Sequence, residues 1–233
     1  MKKLGDLKEK IIISIQAMPD EPLYNDTCIM AMAESVIKLA GINAVRLAGE
    51  RDIKNIKNKF PDVTIIGITK PVKIPENYKE IVYITPTVSD CEKIIKAGAD
   101  IVAFDGTLRP RPNNETIKDI IDFIHSNKKL AMADIATYEE AINAKNLGCD
   151  IVSTTLSGYT KETENYPDMP DYELVKKIKM NLDIFTILEG KIWEKNDVIK
   201  AFQSGADAVV IGSAVTRPQL IAKRFKSALE ESR

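Results

Sequence analysis

The chain has 233 residues, 44% hydrophobic and 29% charged, with 33 basic residues against 34 acidic ones and a formal net charge of −1. These values exclude a disordered or collagen-like chain and a nucleic-acid binder that works by bulk charge. The length suits one domain spanning 1–233 better than two full ones.

In chain order, short β-branched runs at 10–15, 43–47, 63–68, 101–105, 130–134, 151–155, 184–188 and 208–211 predict eight strands. Most are almost continuously apolar, as strands buried on both faces of a parallel sheet are. Helical patterns separate them. Thr116 precedes apolar residues at 117, 120, 121 and 124, and Thr137 with Glu140 makes a capping box ahead of Ala141, Ala144 and Leu147. Eight alternating units of about 29 residues predict a single (β/α)8 TIM barrel of the phosphate-binding type, with a doubly wound open sheet as its rival.

A weak internal repeat supports the barrel. KAGADIV at 96–102 returns as NLGCDIV at 146–152 and QSGADAV at 203–209, with a fainter copy, LAGINAV, at 39–45. The copies stand about two βα units apart. Each Gly suits the left-handed turn that ends a helix, and the following Asp or Asn leads into the next strand. Residues 70–87 form an irregular insertion with Pro71, Pro75 and Pro86, within which 81–84 reads as an extra short strand. Long loops in compact domains tend to be functional.

No run approaches the ~20 apolar residues of a membrane span. The charged start MKKLGDLKEK lacks the apolar segment of a signal peptide. Cys28, Cys91 and Cys149 are far apart, without metal-ligand spacing, and fit reduced thiols in the cytoplasm.

The chemistry of such a barrel sits at the carboxyl ends of its strands. The polar residues there are Gln16, Arg46, Lys70, Asp105, Asp134, Thr154, Thr155 and Glu189. Each alone is compatible with a helix cap. A lysine, an arginine and three acids converging from separate strands point instead to a paired network around a small polar ligand. Glu189-Gly190 closes the seventh strand, and Gly212-Ser213 with Arg217 closes the eighth, where phosphate sites in these barrels are built. The single histidine, His125, falls near a helix end and excludes a metal centre assembled from histidines. Asp105, Asp134 and Glu189 leave an all-carboxylate Mg²⁺ site open. Lys70 is either a base of depressed pKa or a cation that stabilises an enolate. Trp193 and the methionines at 18, 30 and 32 read as packing residues.

Taken together, SIQAMP (14–19), VR (45–46), GITK (67–70), DGTLRPRP (105–112), ADIAT (133–137), STTLSGYT (153–160), LEG (188–190) and IGSAVTRP (211–218) resemble the N-acetylmannosamine-6-phosphate 2-epimerases, over 11–225. The resemblance implies a (β/α)8 isomerase that interconverts N-acetylmannosamine 6-phosphate and N-acetylglucosamine 6-phosphate in sialic-acid breakdown, without a cofactor. It implies Lys70 as the catalytic lysine and Glu189 as the partner acid. Gln16, Arg46, Asp134, Thr155 and Tyr159 would line the sugar site, and Gly190, Gly212, Ser213 and Arg217 would hold the phosphate. The chain departs from the family pattern at Pro71-Val72, at Leu188 and at Leu47-Ala48-Gly49. The expected partner is a phosphosugar, with no nucleic acid, no membrane and a possible homodimer. The alternatives are another phosphosugar barrel enzyme or a catalytically silent phosphosugar-binding protein. Ribulose-phosphate epimerases use histidine metal ligands absent here, and phosphate binding alone requires neither Lys70 nor Glu189.

Overall fold

The computed structural model describes residues 3–231, and all eight predicted strands are present. They are β1 (Lys10–Ile15), β2 (Ala44–Ala48), β3 (Thr64–Ile68), β4 (Ile101–Asp105), β5 (Leu130–Asp134), β6 (Ile151–Ser153), β7 (Phe185–Glu189) and β8 (Ala208–Ile211). They close in sequence order into a parallel barrel, with β8 pairing back onto β1, so the open-sheet rival is excluded. The helices are α1 (Asp26–Glu34), α2 (Glu50–Lys59), α3 (Val88–Ala97), α4 (Ile117–Ser126), α5 (Tyr138–Asn146), α6 (Tyr172–Asn181), α7 (Lys195–Gln203), the short α8 (Ser213–Thr216) and α9 (Pro218–Glu231). Thr116 and Thr137 cap α4 and α5 in the boxes expected of them.

Side chains alternate between the barrel interior and the helix layer. Ile12, Ala44, Ile66, Ile68, Ala103, Met132, Ile187 and Val210 fill the interior. Ile13, Val45, Leu47, Ile65, Val102, Phe104 and Ala133 pack outward against the helices. Stepping two residues on from the interior set reaches Ser14 and then Gln16, Arg46, Lys70, Asp105, Asp134, Glu189 and Gly212. The parity that buries the core therefore aims these groups into the barrel mouth. The departures at Leu47 and Leu188 fall on the outward set and pack in the helix layer, away from the mouth.

The repeat glycines do take left-handed backbone, with φ of +71° at Gly41, +110° at Gly98, +88° at Gly148 and +97° at Gly205. The repeat aspartates do more than start a strand. Asp100, Asp150 and Asp207 accept the backbone N–H of Ile65, Ala131 and Thr186 at 2.7–3.0 Å, tying each strand to its neighbour at the barrel bottom. Lys57, His125 and Lys179 sit on the same three carboxylates. His125 is thus one of three equivalent braces.

Three elements differ from expectation. The sixth strand stops at Ser153, and Thr154–Leu156 turn into a single 3-10 turn. There the Thr154 hydroxyl donates to the Glu189 carbonyl (3.0 Å) and accepts the Glu189 N–H (3.2 Å), replacing the strand ladder. Residues 81–84 form no strand. Instead, Thr85 N–H donates to Thr69 O (3.2 Å) and Asp105 N–H donates to Ile84 O (3.1 Å), so the segment enters as a wedge between the tops of β3 and β4. Finally, α9 is seated at the barrel mouth by its first turns, through Leu220 and Arg224, and is otherwise open to solvent. Residues 222–230 of α9 are exposed throughout, with Phe225 75% exposed.

Candidate active site

Arg46 organises the mouth. It is 1% exposed, and a buried guanidinium requires partners. Its Nη1 and Nη2 donate to Asp134 Oδ1 (3.0 Å) and Oδ2 (2.5 Å), the paired fork that fits a carboxylate. Nη1 also donates to Glu189 Oε2 at 2.5 Å, so one arginine on β2 reaches across the mouth to two acids, from β5 and β7. Thr155 Oγ1 lies between the same acids, 2.7 Å from Asp134 Oδ1 and 3.1 Å from Glu189 Oε2, and 2.9 Å from Ser153 Oγ. Burial works against the Arg46 charge, but Asp134 and Glu189 outweigh it and hold the guanidinium protonated. Its Nε is buried without a partner.

Lys70 extends from the end of β3, and its ammonium donates to Gln16 Oε1 at 2.8 Å. The Gln16 amide in turn donates to Ser14 Oγ at 2.8 Å, which orients the carbonyl toward the lysine. Burial, with the positive charges of Arg46 and Arg217 adding to it, lowers Lys70 to about 8 against the pull of Glu189. Glu189 is raised above the usual carboxylate range by burial, opposed by Arg46 and reinforced by Asp134. A lysine pushed down and a glutamate pushed up in one cleft are the mark of acid–base chemistry.

These groups open on one cavity of about 500 Å³. Gln16, Arg46, Lys70, Thr155, Tyr159, Glu189, Gly190, Gly212, Ser213 and Arg217 all line it. Asp134 does not. It is fully buried behind Arg46, so its expected contact with the sugar is replaced by a hold on the residue that faces the cavity. Arg217, 26% exposed, leans on Glu21 at 3.6 Å and lines the cavity. Gly190 has φ +111°, a turn that an L side chain resists.

Asp105 also points inward but is covered by the wedge. Arg109 Nη2 (2.7 Å) and Thr107 Oγ1 (2.6 Å) donate to it, so the three carboxylates share no common centre. Among the described residues no group of three or more His, Cys, Asp and Glu side chains is placed to hold a metal ion. The thiols of Cys91 and Cys149 are pushed up to about 12 by burial, which leaves them inert as nucleophiles.

Sequence reasoning missed Ser14, Tyr83 and Lys191, all on the cavity wall. Ser14 and Tyr83 carried signals, the first by inward parity with Gln16 and the second by its place in the insertion. Trp193, read as packing, lines the cavity as well and stacks with Arg224 at 5.3 Å.

A (β/α)8 barrel with this mouth defines an acid–base enzyme site for a small polar substrate. A family model described as "Putative N-acetylmannosamine-6-phosphate epimerase" matches residues 29–231, and the chain belongs to that family. A protein of Clostridioides difficile named "Putative N-acetylmannosamine-6-phosphate 2-epimerase" is 40% identical over 97% of this chain and 99% of its own length. One of the same name from Caldanaerobacter subterraneus is 41% identical over 100% and 96%. The solved N-acetylmannosamine-6-phosphate 2-epimerase of Clostridium perfringens superposes with a TM-score of 0.89 at 40% identity, covering 97% of this chain and 95% of that one. A 3-hexulose-6-phosphate synthase of Salmonella typhimurium, TM-score 0.62 and 16% identical, shares the fold alone.

Proposed function

We propose that the chain, acting as one domain, interconverts N-acetylmannosamine 6-phosphate and N-acetylglucosamine 6-phosphate by moving the proton on carbon 2. The observation that carries this is Lys70 near 8 at the cavity wall, beside a raised Glu189. Inversion at carbon 2 requires the open-chain aldehyde, removal of the acidified proton and its return on the opposite face. At a pKa of about 8, roughly one Lys70 in ten is neutral at pH 7 and available as a base. Glu189 assists ring opening by holding a proton near the ring oxygen. Arg46, always charged, stabilises the oxyanion of the enolate, and Asp134 and Thr155 position it. Backbone amides around Gly190, Gly212 and Ser213, with the Arg217 fork, receive the phosphate.

No helix of the described residues is long and apolar enough to cross a membrane. The reading places the enzyme in the cytoplasm, in the breakdown of sialic acid and other amino sugars, on a phosphorylated substrate that does not leave the cell. Two copies pair as a homodimer through the exposed face of α9 around Phe225. The support is that α9, seated at the mouth by Leu220 and Arg224, is exposed along 222–230 and leaves Phe225 75% exposed. Light scattering of the natural chain and of Phe225→Glu tests the pairing, which predicts a dimer for the first and a monomer for the second.

Proton NMR of the protein with N-acetylmannosamine 6-phosphate in D₂O tests the activity. Formation of the gluco epimer is the expected result, and deuterium at carbon 2 would mark an exchanging proton transfer. A folded sample that gives no conversion refutes it.

A further inference from the structure

The wedge between β3 and β4 belongs to none of the roles above, yet it supplies two residues of the cavity wall, Tyr83 and Ile84. It is held from both sides. Thr69 N–H donates to Thr85 Oγ1 at 3.0 Å, in addition to the backbone bonds to Thr69 and Asp105. Thr85 is fully buried at φ +42°, a backbone region that a β-branched residue adopts only when its surroundings compel it. Ile84 is 3% exposed within the interior cluster, and Tyr83 stands edge-on to Tyr78, with ring centroids 6.3 Å apart and an interplanar angle of 86°. The wall is therefore fixed by bonds to both strands and largely apolar, in a cavity that Arg46, Lys70 and Glu189 line together with apolar residues of the β6–β8 side such as Leu156, Ile192 and Val210.

Barrel order places it relative to the substrate. The strands run in sequence around the closed barrel, so β3 and β4 lie across the mouth from β7 and β8. With the phosphate at the loops after β7 and β8 and carbon 2 at Lys70 on β3, the sugar chain crosses the mouth. The substituent on carbon 2 then meets the wedge. From this juxtaposition, and resting on the site reading above, we infer that Tyr83 and Ile84 form the wall against which the 2-acylamino group packs, and that they set how long an acyl chain the enzyme accepts.

The test is kcat/KM for the 2-acetyl, 2-propanoyl and 2-butanoyl amides of mannosamine 6-phosphate with the natural chain, Tyr83→Phe and Tyr83→Ala. A hydrophobic pocket discriminates one methylene by about tenfold or more. The natural chain should therefore favour acetyl over butanoyl. Tyr83→Phe should keep that preference, since it keeps the ring, and Tyr83→Ala should narrow it by about tenfold or more. Tyr83→Leu serves as the truncation should the alanine variant not fold. Equal losses on all three amides, or a preference that moves with Tyr159→Ala instead, would overturn the inference. Turnover surviving in Lys70→Met, run in the same assay, would overturn the site reading beneath it and so tells the two failures apart.

Discussion

Replacing Lys70 by Met should raise stability while abolishing turnover, and the gain should depend on pH. In the folded chain Lys70 titrates near 8 instead of 10.5 because its ammonium is desolvated beside Arg46 and Arg217. Holding it charged costs the fold about 3 kcal/mol at most, and its half-buried position reduces that to about 1–3 kcal/mol. Met removes the cost but leaves Gln16 Oε1 without its donor, a loss of about 1 kcal/mol. The net gain at pH 7 is about 1 kcal/mol, or about 2–4 °C in Tm for a chain of this length. Below pH 8 the lysine is charged in both folded and unfolded states and the cost is complete. Between 8 and 10.5 the folded chain has released a proton that the unfolded chain still holds, so the natural protein gains stability as pH rises. Urea unfolding of both proteins at pH 7 and pH 10 measures the effect as a difference of differences. An advantage of Met that is the same at both pH values would refute the burial argument.

Three further outcomes follow from the same geometry. With Lys70 as the base, kcat/KM should rise about tenfold per pH unit below about 8 and then level, measured across pH 6–10. A rate that falls through 8 would show that the ammonium form acts. Asp134→Asn breaks a fully buried ion pair and leaves Arg46 with Glu189 alone, so chemical denaturation should find a loss of about 3–5 kcal/mol; a loss well under 1 kcal/mol would contradict the clamp. Arg217→Ala should raise KM about tenfold or more, the worth of a charged hydrogen bond to phosphate, and lower kcat less. Steady-state kinetics in which kcat carries the whole loss would place Arg217 at the reacting carbon instead.

The strands were legible because a parallel strand buried on both faces must be apolar along its length, and a charge that ends such a run must be aimed at something. Residue type and position together named Lys70, Arg46 and Glu189, and parity with the interior set would also have named Ser14. The sixth strand was read too long because Thr154 and Thr155 have strand-like side chains, while the bonds that end the strand come from Glu189, 35 residues away. Insertion 70–87 was visible as irregular, but its entry between β3 and β4 depends on backbone bonds to both. Sequence alone thus determined the barrel, its catalytic end and the kinds of group found there, since burial and period act locally along the chain. The tertiary structure alone decided that Arg46 clamps Asp134 and Glu189, 88 and 143 residues away, that Asp134 stands behind the wall and that Lys70 titrates near 8. Those facts depend on distances across a closed barrel and on the water excluded from it, and no local pattern encodes either.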